Sequence, residues 1–175
     1  NWLSDQQGYA RAYNESTGGL LDSEGNSTTD ISEVEGYRLP TEAEWEYSAR
    51  GGSADISNAV EETDYRFSGS NGLEEVGWVI GSYGPTHPVG EKAPNELGTY
   101  DQSGNVIEWC YDWFANYENG TEPITNPIGP SSGSKRIMRG GCIRSTEQTS
   151  RTADRDYIVP GERDWYLGFR IARTN

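Results

Sequence analysis

The sequence predicts an α+β domain that is rich in irregular loops and has few, short strands and helices. Three observations lead to this class. The 175 residues include 22 glycines and only 33% hydrophobic residues, so the aliphatic core is small. Six tryptophans and eleven tyrosines supply large rings for burial instead. Glycine, asparagine and proline interrupt the chain too often for long regular elements, which argues against a helix bundle and for one domain.

The clearest local signal is a capped helix that follows Pro40. Thr41 is a typical N-cap, Glu44 stands at the capping-box position, and Gly51 is a natural stop. The apolar residues form no single stripe, so we expect this helix to pack on more than one side. The other expected elements are a helix end within residues 1–14, strands at 106–114, 136–139 and 167–171, and loops at 15–36 and 118–134.

Charge and hydropathy exclude two classes of partner. The net charge of −14 and the pI near 4.4 oppose binding to nucleic acid. No stretch reaches the roughly 18 apolar residues that a membrane span needs, and the mean hydropathy is −0.83. The two cysteines, Cys110 and Cys142, fit one disulfide, two free thiols or one reactive thiol. The first residues resemble the inside of a helix, so we expect further sequence upstream.

Three segments, taken together, resemble the formylglycine-generating-enzyme (sulfatase-modifying factor) family. They are residues 38–52, residues 94–113, and the motif Arg139-Gly140-Gly141 followed by residues 151–155 and 167–170. Their order and spacing also match, and the resemblance covers about residues 1–173. It implies the C-type-lectin-like fold of this family for residues 1–175, as a single domain. The family's opening strands are absent here, which agrees with an expected upstream segment.

The resemblance also implies a calcium site. The family's ligands are one carboxylate or amide side chain, two backbone carbonyls and a glutamate, which here fall on Asp101, Gly104, Val106 and Glu108. The segment itself places two carboxylates seven residues apart around a glycine turn, and hard cations prefer oxygen ligands of this kind. Acidic turns of this spacing are also common without a metal. Calcium is therefore expected on the strength of the resemblance.

The same family raises the question of catalysis. Its enzymes convert a substrate cysteine to formylglycine with copper held by two cysteines, since soft thiolates suit Cu(I). Between Gly141 and Arg151 this chain carries a single cysteine, Cys142, so a copper site would need Cys110 as its partner. We therefore expect neither copper nor enzymatic activity. A formylglycine-generating oxidase is the alternative, and a structural or accessory member of the family is another.

Retroelement-diversified variable proteins also resemble this domain and, like this chain, end soon after Leu-Gly-Phe-Arg. Their variation arises at adenines, most productively in AAC codons, which reach many amino acids but not Trp, Glu, Gln, Lys or Met. Residues 139–170 are therefore a candidate variable segment that binds a protein ligand. The expected binding residues are Ile143, Arg144, Ser145, Asp156, Tyr157, Ile158, Val159, Asp164, Trp165 and Tyr166.

Aromatic side chains in this segment favour display, because they offer rigid contact area at low entropic cost. Trp165 cannot arise from an AAC codon, and it is included because its side chain is aromatic. An ordinary core position is the alternative for Ile158 and Trp165. A domain that displays such a surface is expected at the cell surface or in secreted form.

Overall fold

The computed structural model describes residues 1–52, 65–79, 85–117 and 124–174. Within these ranges the helices are α1 (Trp2–Gln7), α2 (Glu42–Ala49) and α3 (Leu73–Val76). The strands are β1 (Ile107–Trp113), β2 (Arg136–Arg139), β3 (Arg155–Ile158) and β4 (Leu167–Phe169). Loops, turns and two short 3₁₀ turns make up the remaining described residues. The predicted α+β class with few, short elements is confirmed.

The four strands form one mixed sheet in the order β3-β2-β1-β4. β1 and β3 both pair antiparallel with β2, whereas β4 runs parallel to β1. The predicted strands correspond to β1, β2 and β4, and β3 was not predicted. An isolated antiparallel bridge joins Arg38 to Ala172, so the segment before α2 lies beside the end of the chain.

The helix end and the loops predicted outside the sheet are also found where they can be compared. The predicted helix end contains α1, and the loop at 15–36 is folded by isolated bridges from Tyr13 to Leu20 and from Leu21 to Ser27. Residues 124–134 are irregular, and residues 118–123 of the same predicted loop lie outside the described residues. No described helix combines the length and the apolarity that crossing a bilayer would require.

The ends of α2 are as predicted. The Thr41 hydroxyl accepts a hydrogen bond from the Glu44 N–H at 3.1 Å, and the Glu44 carboxylate accepts one from the Thr41 N–H at 2.8 Å. This reciprocal pair is a capping box. Gly51, just past the helix, has a φ of +79°, a conformation that glycine adopts without a steric penalty.

The packing of α2 differs from the prediction. Trp45 and Ala49 are buried against the sheet, while Ala43 and Tyr47 are exposed, so the helix packs on one side only. The third buried member of that side is Glu42. Because a charged residue completes the buried stripe, apolar periodicity alone could not reveal it.

The sheet separates two clusters of buried side chains. On one face, Cys110 and Ile137 pack against Trp45 and Ala49 of α2. The cluster on the opposite face comprises buried Ile107, Met138 and Cys142 with half-buried Trp109, Ile158, Tyr166 and Leu167. Consecutive strand residues point to opposite faces, which is why Ile137 and its neighbour Met138 belong to different clusters. We call the first the α2 face and the second the far face.

Buried ion pairs hold the α2 face together. Arg139 of β2 is 1% exposed and donates to Glu42 at 3.0 Å, to Glu46 at 2.6 Å and to the Thr152 carbonyl at 2.6 Å. Arg155 of β3 donates to both carboxylate oxygens of Glu42, at 2.6 and 2.7 Å. We call Glu42, Glu46, Arg139 and Arg155 the ion-pair hub. The hub joins α2 to β2 and β3. Removing one of its charges would leave the opposite charge buried without a partner, which costs free energy.

A pair of glycines carries the chain from the hub to the far face. Gly140 and Gly141 have φ values of +91° and +66°. A Cβ on Gly140 would lie 3.0 Å from the Trp45 ring, and one on Gly141 would lie 2.5 Å from the Thr149 carbonyl oxygen. Glycine alone satisfies both the left-handed backbone and the close approach. The next residue, Cys142, is already buried in the far-face cluster.

Candidate functional site

The far face carries a cleft of about 310 Å³. Its floor is apolar and consists of Ile107, Met138, Cys142 and Leu167. Its walls are Ser145, Asp156, Tyr157, Ile158, Glu162, Arg163, Asp164 and Tyr166. The walls come from three places: the loop after the glycine pair, β3, and the loop that precedes β4. Every wall residue lies within the predicted segment 139–170.

Most of the predicted ligand-binding residues meet at this cleft. Those that line it are Ser145, Asp156, Tyr157, Ile158, Asp164 and Tyr166. Arg144 and Trp165 flank it through Tyr166: the Arg144 guanidinium lies 5.6 Å from the centroid of the Tyr166 ring, and the Trp165 ring meets that ring edge-on at 5.5 Å. Val159 is exposed at the end of β3.

The structure corrects one of the ten predicted residues, Ile143. Its side chain is 4% exposed, and its N–H donates to the Asn105 carbonyl at 2.9 Å. The preceding N–H, that of Cys142, donates to the Ser145 hydroxyl at 2.9 Å and turns the chain back. Residues 142 and 143 therefore anchor the loop, and its exposed part begins at Arg144.

The predicted binding residues 156–158 lie on strand β3, so their side chains point to different faces of the sheet. Because side chains alternate along β3, Asp156 and Ile158 project toward the far face, while the Tyr157 ring packs on the Phe114 ring at 4.1 Å. The Lys135 ammonium also lies 4.1 Å from the Tyr157 ring centroid. Tyr157 thus stands at the outer edge of the cleft, next to the α2 face.

Sequence reasoning missed two residues that line the cleft and two exposed apolar residues in and just after β4. Glu162 and Arg163 line the cleft, but the codon rule set Glu162 aside. Phe169 and Ile171 are exposed hydrophobic side chains near β4. Glu162 and Arg163 lie in the short loop between the predicted binding residues 156–159 and 164–166. This position could have revealed them, because a loop that connects two walls of a cleft lies on its rim.

The rim of the cleft is acidic. Its charged residues are Asp156, Glu162 and Asp164 against Arg163. Asp156 accepts a hydrogen bond from the Tyr157 N–H, and Asp164 accepts one from the Trp165 N–H, both at 2.7 Å. A hydrogen bond to Asp164, together with its charge, raises the pKa of the Tyr166 hydroxyl. These bonds fix two carboxylates at the mouth of the cleft.

The two cysteines are free and buried, and they lie on opposite faces of the sheet. Cys110 packs with Trp45 and Ile137 on the α2 face, whereas Cys142 packs with Met138 on the far face. Burial raises the pKa of the Cys110 thiol well above its ordinary value. Of the three possibilities open from the sequence, the structure has two free thiols, and the sheet separates them.

The segment with the expected calcium ligands contains a buried carboxylate with one unpartnered oxygen. Asp101 is buried, and its Oδ2 accepts a hydrogen bond from the Gly90 N–H at 2.7 Å, while its buried Oδ1 has no partner among the described residues. Burial raises the pKa of Glu108, Arg170 acts against this rise, and the negative charge of Asp101 adds to it. Asp101 therefore keeps one buried oxygen without a partner among the described residues.

Glu108 is already engaged with the scaffold. Its Oε2 accepts from the Trp45 indole N–H and from Arg170 Nε, each at 2.6 Å, and its Oε1 accepts from Arg170 Nη2 at 2.7 Å. A carboxylate oxygen has two acceptor positions, so Oε1 retains one. Gly104 and Val106 lie between the two carboxylates in the chain, and their carbonyls accept no backbone hydrogen bond from a described residue outside the strands. These oxygens suit a hard cation.

Comparison with known proteins identifies the family. The family of sulfatase-modifying factor enzyme 1-like domains matches residues 2–175. The chain belongs to this family. Treponema denticola variable protein 1 is a solved structure that resembles this sulfatase-modifying-factor-like domain, with a TM-score of 0.79 and 35% sequence identity, over 100% of this chain and 66% of that chain. The likeness confirms the predicted C-type-lectin-like fold of the formylglycine-generating-enzyme subtype.

The curated relatives of this sulfatase-modifying-factor-like domain include a formylglycine-generating enzyme and a protein kinase. A formylglycine-generating enzyme of Streptomyces coelicolor is 36% identical over 162 residues, which are 84% of this chain and 50% of that protein. The serine/threonine-protein kinase pkn1 of Chlamydia pneumoniae is 38% identical over 141 residues, 79% of this chain and 21% of the kinase. The chain thus spans about a fifth to a half of these relatives, so the activity of a whole relative does not transfer with the fold.

Proposed function

We propose that this domain is a non-catalytic, protein-binding module whose ligand-binding face is the far-face cleft and its rim. One observation carries the proposal: wall residues from three separate stretches of the chain converge on one apolar floor. Concave, largely apolar sites with a few fixed polar groups are the usual form of a binding site. The segment that the sequence singled out for binding supplies every wall.

The segment 139–170 divides its residues between scaffold and surface. Arg139, Ser150 and Thr152 are buried, and Arg139 belongs to the ion-pair hub. Arg144 and Trp165 lie in the same segment and are exposed. Exposed positions of this kind can change without disturbing buried contacts, and substitutions there cost little stability. This division favours a surface whose residues vary on a constant scaffold.

Exposed rings support a protein partner. Trp165 is 54% exposed beside Tyr166, and Tyr157 is 41% exposed at the other edge of the cleft. Phe169, also largely exposed, extends the apolar surface along β4. Aromatic residues are enriched at the centre of protein interfaces and in antibody loops, because they provide large contact areas with few torsions to fix.

A matched pair of tryptophan variants tests this proposal. Binders selected from a random peptide library against the whole domain are expected to lose about tenfold or more in affinity for Trp165→Ala, the usual cost of truncating an interface anchor. The control is Trp2→Ala, because Trp2 is also exposed, at 73%, but lies in α1. Equal losses in both variants, or binders that ignore Trp165, would contradict binding at the cleft.

We further propose that the exposed part of the segment is diversified. The likeness to Treponema denticola variable protein 1 supports this idea. The genomic neighbourhood should then contain a near-copy of codons 139–170, with adenine-rich codons at exposed positions such as Arg144, Asp156 and Asp164. The codons of buried Cys142 and Ile143 should match between the two copies. Absence of a near-copy would leave an undiversified binding or accessory member of the family.

Formylglycine generation is the second candidate, because relatives of this domain carry that activity in their names. A two-thiolate copper site would need the sulfurs of Cys110 and Cys142 together, yet the two residues pack on opposite faces of the sheet. We expect no formylglycine when the domain is incubated with Cu(I), oxygen and a cysteine-containing peptide, with the Streptomyces coelicolor enzyme as the positive control. Product detected by mass spectrometry would overturn the non-catalytic assignment.

Calcium is proposed as a structural cofactor. The side chains of Asp101 and Glu108 and the carbonyls of Gly104 and Val106 would hold it. The buried, unpartnered Oδ1 of Asp101 supports this site, since a bound cation would satisfy that oxygen. The ion would order the loop that enters β1 and would supply no chemistry to the cleft.

A further inference from the structure

We propose that the far-face cleft recognises a basic side chain, a lysine or an arginine, of a protein ligand. The inference rests on the proposed binding function of the cleft and specifies what occupies it. It follows from the combination of an apolar floor, an acidic rim and a volume that suits one long side chain.

The floor fits the aliphatic part of a basic side chain. Ile107, Met138 and Cys142 are buried beneath the cleft, and the volume of about 310 Å³ is at the lower end of the range for ligand sites. Lysine and arginine bury their methylene groups along apolar surfaces and keep the charged end near water. Met138 adds an adaptable contact, because its unbranched side chain conforms to different shapes.

The rim places carboxylates where the charged end would lie. The Tyr157 N–H holds Asp156 and the Trp165 N–H holds Asp164, each through Oδ1, and Asp164 also hydrogen-bonds to the Tyr166 hydroxyl. The side chain of Glu162, on the same rim, forms no hydrogen bond or ion pair with another described residue. Carboxylate oxygens therefore remain for charge-assisted hydrogen bonds to an ammonium or guanidinium group.

Competing ligands fit less well. An acidic side chain would face three carboxylates, against Arg163 in the lining and the cations of Arg144 and Lys135, which lie on the outer Tyr166 and Tyr157 rings. A purely apolar side chain would fill the floor but would take the rim carboxylates partly out of water without a partner, which costs free energy. The net charge of −14 acts in the same direction, since it attracts basic ligands over longer distances.

Short peptides with one variable position test the inference directly. The probes are acetylated and amidated Ala-Ala-X-Ala-Ala peptides in which X is lysine, arginine, norleucine or glutamate. They are titrated against the ¹⁵N-labelled domain, and amide shifts are followed by NMR. We expect saturable shifts at Tyr157, Ile158 and Tyr166 with lysine and arginine, and much weaker binding of norleucine and glutamate.

Variants that remove a charge test whether the rim carboxylates bind the basic side chain. Asp156→Asn and Asp164→Asn keep the Oδ1 acceptor of the backbone bond, and each is expected to weaken lysine-peptide binding about three- to fivefold, as for exposed ion pairs. Raising the salt concentration should weaken binding as well. The control is Glu147→Gln, which removes an exposed carboxylate outside the cleft and should leave binding unchanged.

Other outcomes would overturn the inference and leave the proposed function to its own test. Norleucine binding as tightly as lysine would make the site a simple apolar pocket. Preferential binding of glutamate would assign the specificity to Arg163. An absence of shifts with all four peptides would also reject a basic occupant, while the tryptophan pair would still decide whether proteins bind at the cleft.

Discussion

The two faces of one four-stranded sheet use charge in opposite ways. On the α2 face, arginines and glutamates are buried and paired with one another, as in the hub around Arg139 and Glu42. On the far face, apolar side chains are buried and the charges stand on the rim of the cleft. Charge fixes the structure on the first face and is exposed to solvent on the second. The difference indicates which substitutions this scaffold tolerates.

The segment 139–170 contributes to both faces. It enters the sheet through the hub, crosses to the far face at the glycine pair, and returns to the hub at Arg155 before it forms the loop at Glu162. Scaffold and surface positions therefore alternate along it. A surface built in this way keeps its shape when its exposed residues change.

The largest expected effect separates the two faces by their arginines. Arg139→Met should lower the free energy of unfolding by about 3–5 kcal/mol, because Glu46 and part of Glu42 would lose a buried partner. Arg144→Met, an exposed arginine in the same segment, should change it by less than about 0.5 kcal/mol. Urea unfolding of the two variants measures both values. Similar losses would mean that the faces do not differ as described.

The second prediction concerns the boundary between anchor and surface. Ile143→Ala should cost about 2–5 kcal/mol, as expected for a buried aliphatic side chain. Val159→Ala, at an exposed position, should cost well under about 1 kcal/mol. Thermal or urea denaturation is a sufficient measurement. A small effect at Ile143 would return that residue to the ligand-binding surface.

The third prediction uses Asp112, a buried acid on the α2 face. Burial raises its pKa from 3.8 to about 6, the charge of Glu42 adds to the rise, and the Glu42 N–H and the Arg136 charge oppose it. The native state therefore binds more protons than the unfolded state between these two pH values. The contribution of Asp112 to stability is accordingly lost as pH rises from about 4 to 6, by about 3 kcal/mol.

A conservative variant isolates this contribution. Asp112→Asn should be more stable than the parent at pH 7 and should lose that advantage below about pH 4. Asp156→Asn, at an exposed acid of β3, is the control and should track the parent. Urea unfolding across this pH range compares the three proteins. A constant difference between Asp112→Asn and the parent would show that Asp112 does not titrate as described.

The fourth prediction asks whether calcium stabilises the scaffold and leaves the cleft unchanged. At a concentration one hundred times its dissociation constant, calcium should raise the free energy of unfolding by about 2.7 kcal/mol. Asp101→Ala should abolish the effect, whereas Asp22→Ala, in another acidic turn, should preserve it. Melting curves with calcium and with a chelator provide the measurement. An equal shift in Asp101→Ala would place the ion elsewhere.

Local signals were sufficient to predict much of the fold. The capping box of α2 depends on Thr41 and Glu44, three residues apart, and the sequence displays it directly. Strands β1, β2 and β4 contain enough apolar or aromatic residues to be recognised. The family resemblance gave the C-type-lectin-like framework that these elements share.

The parts that were missed depend on distant partners. Arg139 and Glu42 are 97 residues apart, and Arg155 and Glu42 are 113 apart, so no short pattern indicates that these charges are buried. β3 was missed because Arg155-Asp156-Tyr157-Ile158 has two charged residues and gains its regularity from pairing with β2. Once residues 155–158 are known to form a strand, alternation places Asp156 and Ile158 on one face and Tyr157 on the other.

The separation of Cys110 from Cys142 by the sheet has a practical consequence. Because their side chains pack on opposite faces, the two cysteines cannot form an intramolecular disulfide without unfolding. The stability of the native state therefore does not depend on an oxidising environment. Melting curves with and without reductant should coincide, and any covalent species on a non-reducing gel must join two molecules. Cells or buffers of either redox poise can therefore yield the same folded domain.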